Sequence, residues 1–157
     1  MSTPSTARSS NSKPSHRKKA RHLLVQALYQ WQLSGTSINS IEAEFFTDNK
    51  MDAVDTQFFR ELLHGVPAKM AKLDGCFSPY LDRRQDELDP VSLAVLRIGT
   101  YELLFRIDVP YKVVINESVN LAKAFGPSDA HKYINSILDK VAADRRQVEI
   151  KAAQPRG

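Results

Sequence analysis

The stretch from Asp89 to Asp144 carries three helix-length apolar patterns in series, and no other feature constrains this chain as strongly. Asp89-Pro90 opens the first, since Asp can accept from the free N–H groups of a first turn and Pro at the first helical position loses no bond. Leu93, Leu96, Leu103 and Leu104, with Val95, Ile98, Tyr101 and Phe105, then form a broad apolar face. Asp108-Val109-Pro110 ends that helix, because the residue before proline is pushed out of the α region. The second helix carries Val113, Val114, Ile115, Val119, Leu121, Ala122 and Phe125, and Gly126-Pro127 stops it. Ser128 is the expected cap of the third, whose apolar face is Ile134, Ile137, Leu138 and Val141. Each face needs the others for burial, so the pattern predicts an all-α core.

Upstream, residues 1–15 are rich in Ser, Thr, Pro and Asn without apolar periodicity, which predicts a disordered extension. From about His16 to Leu33 the pattern turns helical. Ala20, Leu24, Ala27, Leu28 and Trp31 recur at spacings of three and four, leaving Arg17, Lys18, Arg21 and Gln32 largely to solvent. Ser34-Gly35 stops this helix. Asn39 with Glu42 matches a capping pattern for a short helix through Ile41, Phe45 and Phe46, and Asp52 opens the next, through Val54, Phe58, Phe59, Leu62 and Leu63. Pro67 must kink or break that helix. Met70, Leu73 and Phe77 continue the apolar spacing up to Pro79, and the run Asp82 to Glu87 reads as a solvated connector. About six to seven helices follow, in two lobes at about residues 16–81 and 89–144, with a frayed tail over 145–157.

The charge is distributed unevenly. The net charge of +4 conceals six basic residues in the first 22 (Arg8, Lys13, Arg17, Lys18, Lys19 and Arg21), while the first acid is Glu42. The remaining sixteen basic residues face eighteen acids, so the body carries −2 and the whole basic excess lies in one arm. A near-neutral body with a cationic arm suits a polyanion, nucleic acid first, although a basic terminus is often merely a solubilising tail, the lesser reading here. The arm's Ser, Thr and Arg content also resembles an organelle transit peptide, against which stands its direct run into a helix. The single cysteine excludes an internal disulfide framework and any multi-cysteine zinc site. No apolar run approaches the roughly 20 residues that span a bilayer. A cytoplasmic chain is expected.

Catalytic constellations are not evident. The glycines form neither G-x-G-x-x-G nor a P-loop, and His16, His22, His64 and His131 lack zinc-ligand spacing. Cys76, beside Phe77, reads as a packing residue. Glu102 and Glu117 read as solvated or paired with Arg97, Arg106 or Lys112. The expectation is no enzyme, no cofactor and no metal.

RNA contact has better candidates. Arg17, Lys18, Lys19 and Arg21 stand on the first turns of an amphipathic helix, which concentrates their potential. Tyr29, eleven residues after Lys18 and about 16 Å along the axis, shares its face, though for Tyr29 alone core packing near Trp31 is the stronger reading. Lys132 and Tyr133 follow His131 at the start of the last helix, where free N–H groups favour phosphate and an aromatic ring can stack on a base. Tyr133 is equally readable as a boundary residue with a wet hydroxyl.

Taken together, the residues resemble a known family. Arg17-Lys18-Lys19-Ala20-Arg21 followed by Val25-Gln26-Ala27-Leu28-Tyr29-Gln30-Trp31 resembles the opening of the bacterial NusB transcription antitermination factors. The resemblance continues through Leu93 to Ile98, Asp108 to Glu117, Leu121 to Gly126 and His131 to Asn135, in the family's order. It implies a NusB-like all-α bundle in two packed lobes, without catalytic activity. It further implies binding of boxA-type single-stranded RNA as a pair with NusE, which is also a small-subunit ribosomal protein. That pair acts within the RNA polymerase antitermination complex, notably in ribosomal RNA operons. Arg17, Lys18, Lys19 and Arg21 would then form the RNA-contacting start, with Tyr29, Lys132 and Tyr133 bordering the path.

Lysines replace some of the family's arginines in the arm, losing bidentate phosphate geometry. Tyr133 stands where relatives are expected to carry Phe, Pro67 interrupts a stretch expected to be continuous helix, and the extension before His16 is long. Apolar surface left uncovered without a partner would favour a homodimer. A NusB-like domain fused ahead of an RNA methyltransferase would need a cofactor-binding domain beyond Gly157. The rival from another class is a helical adaptor that binds protein and never RNA.

Overall fold

A computed structural model describes residues 13–154, which hold eight α-helices, two single 3-10 turns and no strand. They are α1 (Pro14–Ser34), α2 (Ile38–Asp48), α3 (Thr56–Ala68), α4 (Met70–Phe77), α5 (Pro90–Phe105), α6 (Tyr111–Phe125), α7 (Ala130–Arg145) and α8 (Gln147–Ala153). The all-α expectation holds. Most of the Ser/Pro-rich extension lies outside the described residues, and the first helix starts slightly earlier than read, with Pro14 in its first turn.

Two compact units divide between Ala68 and Lys69. In the first, α1 packs on α2 and α3, and α2 on α3. Leu24, Leu28, Ile41, Phe58, Phe59, Leu62 and Leu63 form its core. Gly35 ends α1 at φ 69°, a left-handed conformation that favours glycine, and its N–H donates to the Trp31 carbonyl at 3.0 Å. Ser37 rather than Asn39 caps α2, accepting the Ser40 N–H. Asp55 rather than Asp52 caps α3, accepting the Phe58 N–H on Oδ1 at 3.0 Å. Pro67 lies inside α3, which stops at Ala68, and α4 starts two residues later. The helix breaks just past the proline.

In the second unit α5 is the central element, packed by α4, α6 and α7. Asp89 caps it as expected: Oδ1 accepts the Ser92 N–H at 2.9 Å, while Ser92 Oγ donates to Oδ2 at 2.6 Å. Leu96 and Leu138 are fully buried, as their faces predict. The closest approach is at Gly99, where a Cβ would stand 2.8 Å from both Leu138 Cδ1 and Ser118 Oγ. A side chain there would require the packed Leu138 and Ser118 side chains to shift. Val113, expected inside, is exposed, and Ser128 does not cap α7.

The division falls earlier than residues 81–89 because α4 belongs with α5. Arg97, buried on α5, donates from Nε and Nη2 to both carboxylate oxygens of Asp74 on α4, at 2.9 and 2.8 Å. Gln85 adds a third donor to Asp74 at 3.0 Å. The connector is thus partly structural rather than merely solvated, and Arg97 serves Asp74. Glu102, read as a solvated or paired carboxylate, is buried.

The tail also departs from expectation. Residues 147–153 form α8 instead of fraying, because Arg146 turns its guanidinium inward and is buried. It donates to the carbonyls of Leu103 (2.8 Å), Val109 (3.0 Å), Glu102 (3.1 Å) and Arg106 (3.1 Å). Glu102, Leu103 and Arg106 stand at the end of α5, where the last carbonyls run short of helical donors; those of Glu102 and Arg106 also accept the N–H groups of Arg106 and Val109, each at 3.0 Å. Glu149 closes the arrangement: one oxygen pairs with Arg146 and the other accepts the Tyr111 N–H at 3.0 Å. Residues 155–157 lie outside the described residues.

Candidate nucleic-acid interface

The four basic residues of the α1 start divide by helical phase. Arg17 and Arg21 stand one turn apart, and Leu24 and Leu28 continue the same stripe toward the core. Both guanidinium groups lie over the buried ring of Phe58, at 4.8 and 5.1 Å from its centroid. Arg21 is only 3% exposed, and Arg17 donates from Nε to Asp55 Oδ2 at 3.3 Å. Asp55 therefore caps α3 and pairs with α1 at once, and its own N–H donates to the His16 carbonyl at 3.0 Å. The two arginines were expected to face solvent. They turn inward because a flat, weakly hydrated guanidinium can lie on an aromatic face where a lysine ammonium would keep its water.

Lys18 and Lys19 point the other way and are exposed. With His22 and Leu23 they line an open pocket whose far wall is Asn49, Lys50 and Val54. Tyr29 is 39% exposed farther along α1, so its ring is not a core residue. The arginines thus hold the helix that displays the lysines.

The second cluster lies in the second unit. Lys132 and Tyr133 occupy the first turn of α7, Lys132 exposed and Tyr133 half-buried. The Tyr133 hydroxyl donates to Ser92 Oγ at 2.7 Å, joining the Asp89 cap of α5, and Asp89 Oδ2 lies 3.3 Å away. Burial holds the phenol above its ordinary pKa, and the nearby Asp89 charge adds to the effect. The Arg83 guanidinium lies over the ring, 5.1 Å from its centroid, while donating from Nε to Asp82 at 2.8 Å. Arg83 was read as part of a solvated connector; a basic residue next to a turn gives no sign in the sequence of the ring it will cover.

Among the described residues, no group of three or more His, Cys, Asp or Glu side chains is placed to hold a metal ion. Cys76 is half-buried and accepts from Arg145 Nη2 at 3.3 Å. No described helix is long and apolar enough to cross a membrane.

The NusB family model matches residues 18–143. The chain belongs to the NusB family. Transcription antitermination protein NusB of Teredinibacter turnerae is 58% identical over 139 residues, covering 88% of this chain and 95% of that protein. The Shewanella loihica protein of the same name is 57% identical over 133 residues, covering 85% of this chain and 99% of the relative. Relatives of this kind are transcription factors rather than enzymes. Among solved structures, T. maritima NusB superposes with a TM-score of 0.74 at 28% identity, over 85% of this chain and 94% of that one. A second fold match, with a TM-score of 0.73 at 24% identity over 84% of this chain and 99% of that one, comes from a crystal structure of NusB and NusE with double-stranded RNA.

Proposed function

We propose that this NusB family member binds boxA-type single-stranded RNA together with a NusE-like small-subunit ribosomal protein. In the cytoplasm, that complex would help RNA polymerase read through terminators, notably in ribosomal RNA operons. The observation that carries the RNA part is the pair Lys18 and Lys19, displayed from a helix that Arg17 and Arg21 anchor on Phe58. Cations held in place keep a high local potential, and each phosphate they neutralise releases a counterion. Tyr29, Lys132 and Tyr133 are the further contacts proposed, the aromatic rings for stacking and Lys132 for phosphate. The relatives' name as antitermination proteins supports the reading, and the NusE and RNA held by one fold neighbour suit it.

The test is a titration against a boxA-like RNA, a scrambled RNA of equal length and the boxA-like sequence as a duplex, each with and without NusE. The proposal expects tightest binding to the single-stranded boxA-like RNA, strengthened by NusE. Equal affinity for all three RNAs in the presence of NusE would overturn the boxA assignment. Binding of NusE with no RNA affinity would make the chain a protein adaptor.

A further inference from the structure

We infer that the surface running from α4 to α8 in the second unit is a docking site for an acidic, apolar peptide segment of a protein partner. Lys69, immediately before α4, and Lys72, in its first turn, reach the same ring: their ammonium nitrogens lie 5.0 and 5.5 Å from the Phe105 centroid. Tyr101 backs that ring, with the two centroids 5.0 Å apart. An aromatic face attracts a cation but carries no net charge, so both ammonium charges remain to be met by a counter-ion. Neither lysine pairs with an acid among the described residues, and the first turn of α4 holds none. Arg83, Arg84, Arg97 and Arg106, by contrast, each pair with an aspartate.

The same surface continues into exposed apolar side chains. Cys76 stands one turn beyond Lys72 on α4 and accepts from Arg145, which lines an open hollow of about 550 Å³ with Ile107 and Val148. Ile107 is 76% and Val148 84% exposed, the two most exposed large apolar side chains among the described residues. They are held in place: Arg146 donates to the Arg106 and Val109 carbonyls on either side of Ile107, at 3.1 and 3.0 Å, which ties α8 to that turn. A surface ordered in advance loses less entropy on binding. The acids of the hollow are matched within the chain, Asp144 by Arg145 at 3.5 Å and Glu149 by Arg146. RNA would match the two lysines, but neither Ile107 nor Val148 offers a π-face to its bases. A second copy meeting this surface about a two-fold axis would bring four ammonium groups together. A peptide with Asp or Glu beside Leu or Ile matches both halves.

The experiment selects binders to the folded full chain from a random library of displayed short peptides and measures their affinities by fluorescence anisotropy. The selected peptides should combine acidic and aliphatic residues. Lys69→Glu/Lys72→Glu should weaken them by at least about ten-fold, because like charges then face each other. Ile107→Ser should weaken them by about five-fold through the lost aliphatic contact. Both variants change exposed side chains, so the melting curves should stay in place. Failure to select any peptide, peptides without acidic residues, or affinities unchanged by the charge reversal or by Ile107→Ser would overturn the docking site. A charge-reversed protein that instead loses affinity for boxA-like RNA would put Lys69 and Lys72 on the RNA path and overturn the peptide assignment. Neither result touches the RNA role proposed for Lys18 and Lys19.

Discussion

Alanine substitution along the start of α1 should separate two kinds of basic residue that charge counting treats as one. Arg17→Ala leaves the Asp55 carboxylate, whose side chain is 3% exposed, without the Arg17 guanidinium. Breaking a buried pair from one side costs about 3–5 kcal/mol, and the low end applies because Asp55 keeps the Phe58 N–H as a donor. Arg21→Ala removes a desolvated guanidinium from the Phe58 ring, about 2 kcal/mol for the cation–ring contact with further loss from its buried methylenes. Lys18→Ala and Lys19→Ala, at exposed sites, should each stay within about 0.5 kcal/mol. Urea melts of the four single variants measure these differences, and RNA titrations at concentrations of folded protein measure the binding side. The lysine variants should lose RNA affinity at unchanged stability, whereas the arginine variants lose stability first. Arginine variants as stable as the lysine ones would refute the anchoring role assigned to Phe58 and Asp55.

Three further outcomes follow from other parts of the structure. Tyr133→Phe should keep RNA affinity, because the ring face survives, while losing about 1 kcal/mol of stability with the Ser92 hydrogen bond; Tyr133→Ala should lose roughly 1–3 kcal/mol of RNA binding, and a Phe variant with the Ala variant's affinity would end the stacking role. Arg146→Met should cost at least about 3 kcal/mol in urea melts, since carbonyls at the end of α5 lose charged donors, and should release α8 as increased amide exchange over 147–153; unchanged exchange there would contradict the staple. Glu42 accepts from His64 and from Arg60 Nε at 3.0 Å, and the His64 hydrogen bond is the largest cause that holds its carboxyl below the ordinary glutamate range. A folded-state pKa below the unfolded one stabilises the protein above about pH 4.3 and loses that contribution as pH falls through the lowered value. Glu42→Gln should therefore flatten the acid limb of the stability profile, and an identical limb in both proteins would rule the contribution out.

Local signals in the chain are legible where a single residue settles a helix end. Asp89-Pro90 names its own cap, and Gly35 its own stop, because both act within one turn. The inward turn of Arg17 and Arg21 was also available, since spacings of four, three and four place both on the stripe that continues through Leu24 and Leu28. Their charge masks their helical phase. Arg146 was out of reach: four of its acceptors are main-chain carbonyls, which carry no sequence mark, so a polar tail looked loose. The placement of α4 with α5 was hidden for a related reason, because the Asp74–Arg97 pair spans 23 residues and either partner alone reads as surface. At the second cluster, Lys132 and Tyr133 were named from their helix start, whereas the Arg83 side chain over the ring depends on how the connector folds back.

The claim that displayed lysines on an anchored helix engage RNA is tested most directly by the salt dependence of binding. The observed affinity of the unsubstituted protein for the boxA-like RNA, measured at several salt concentrations, is compared with that of the Lys18→Ala/Lys19→Ala double variant. Each phosphate contact on single-stranded RNA contributes about −0.7 to the slope of log K against log salt, so losing two should flatten it by about 1.4 while the melting curve stays in place. A folded double variant with the slope of the unsubstituted protein would contradict the account.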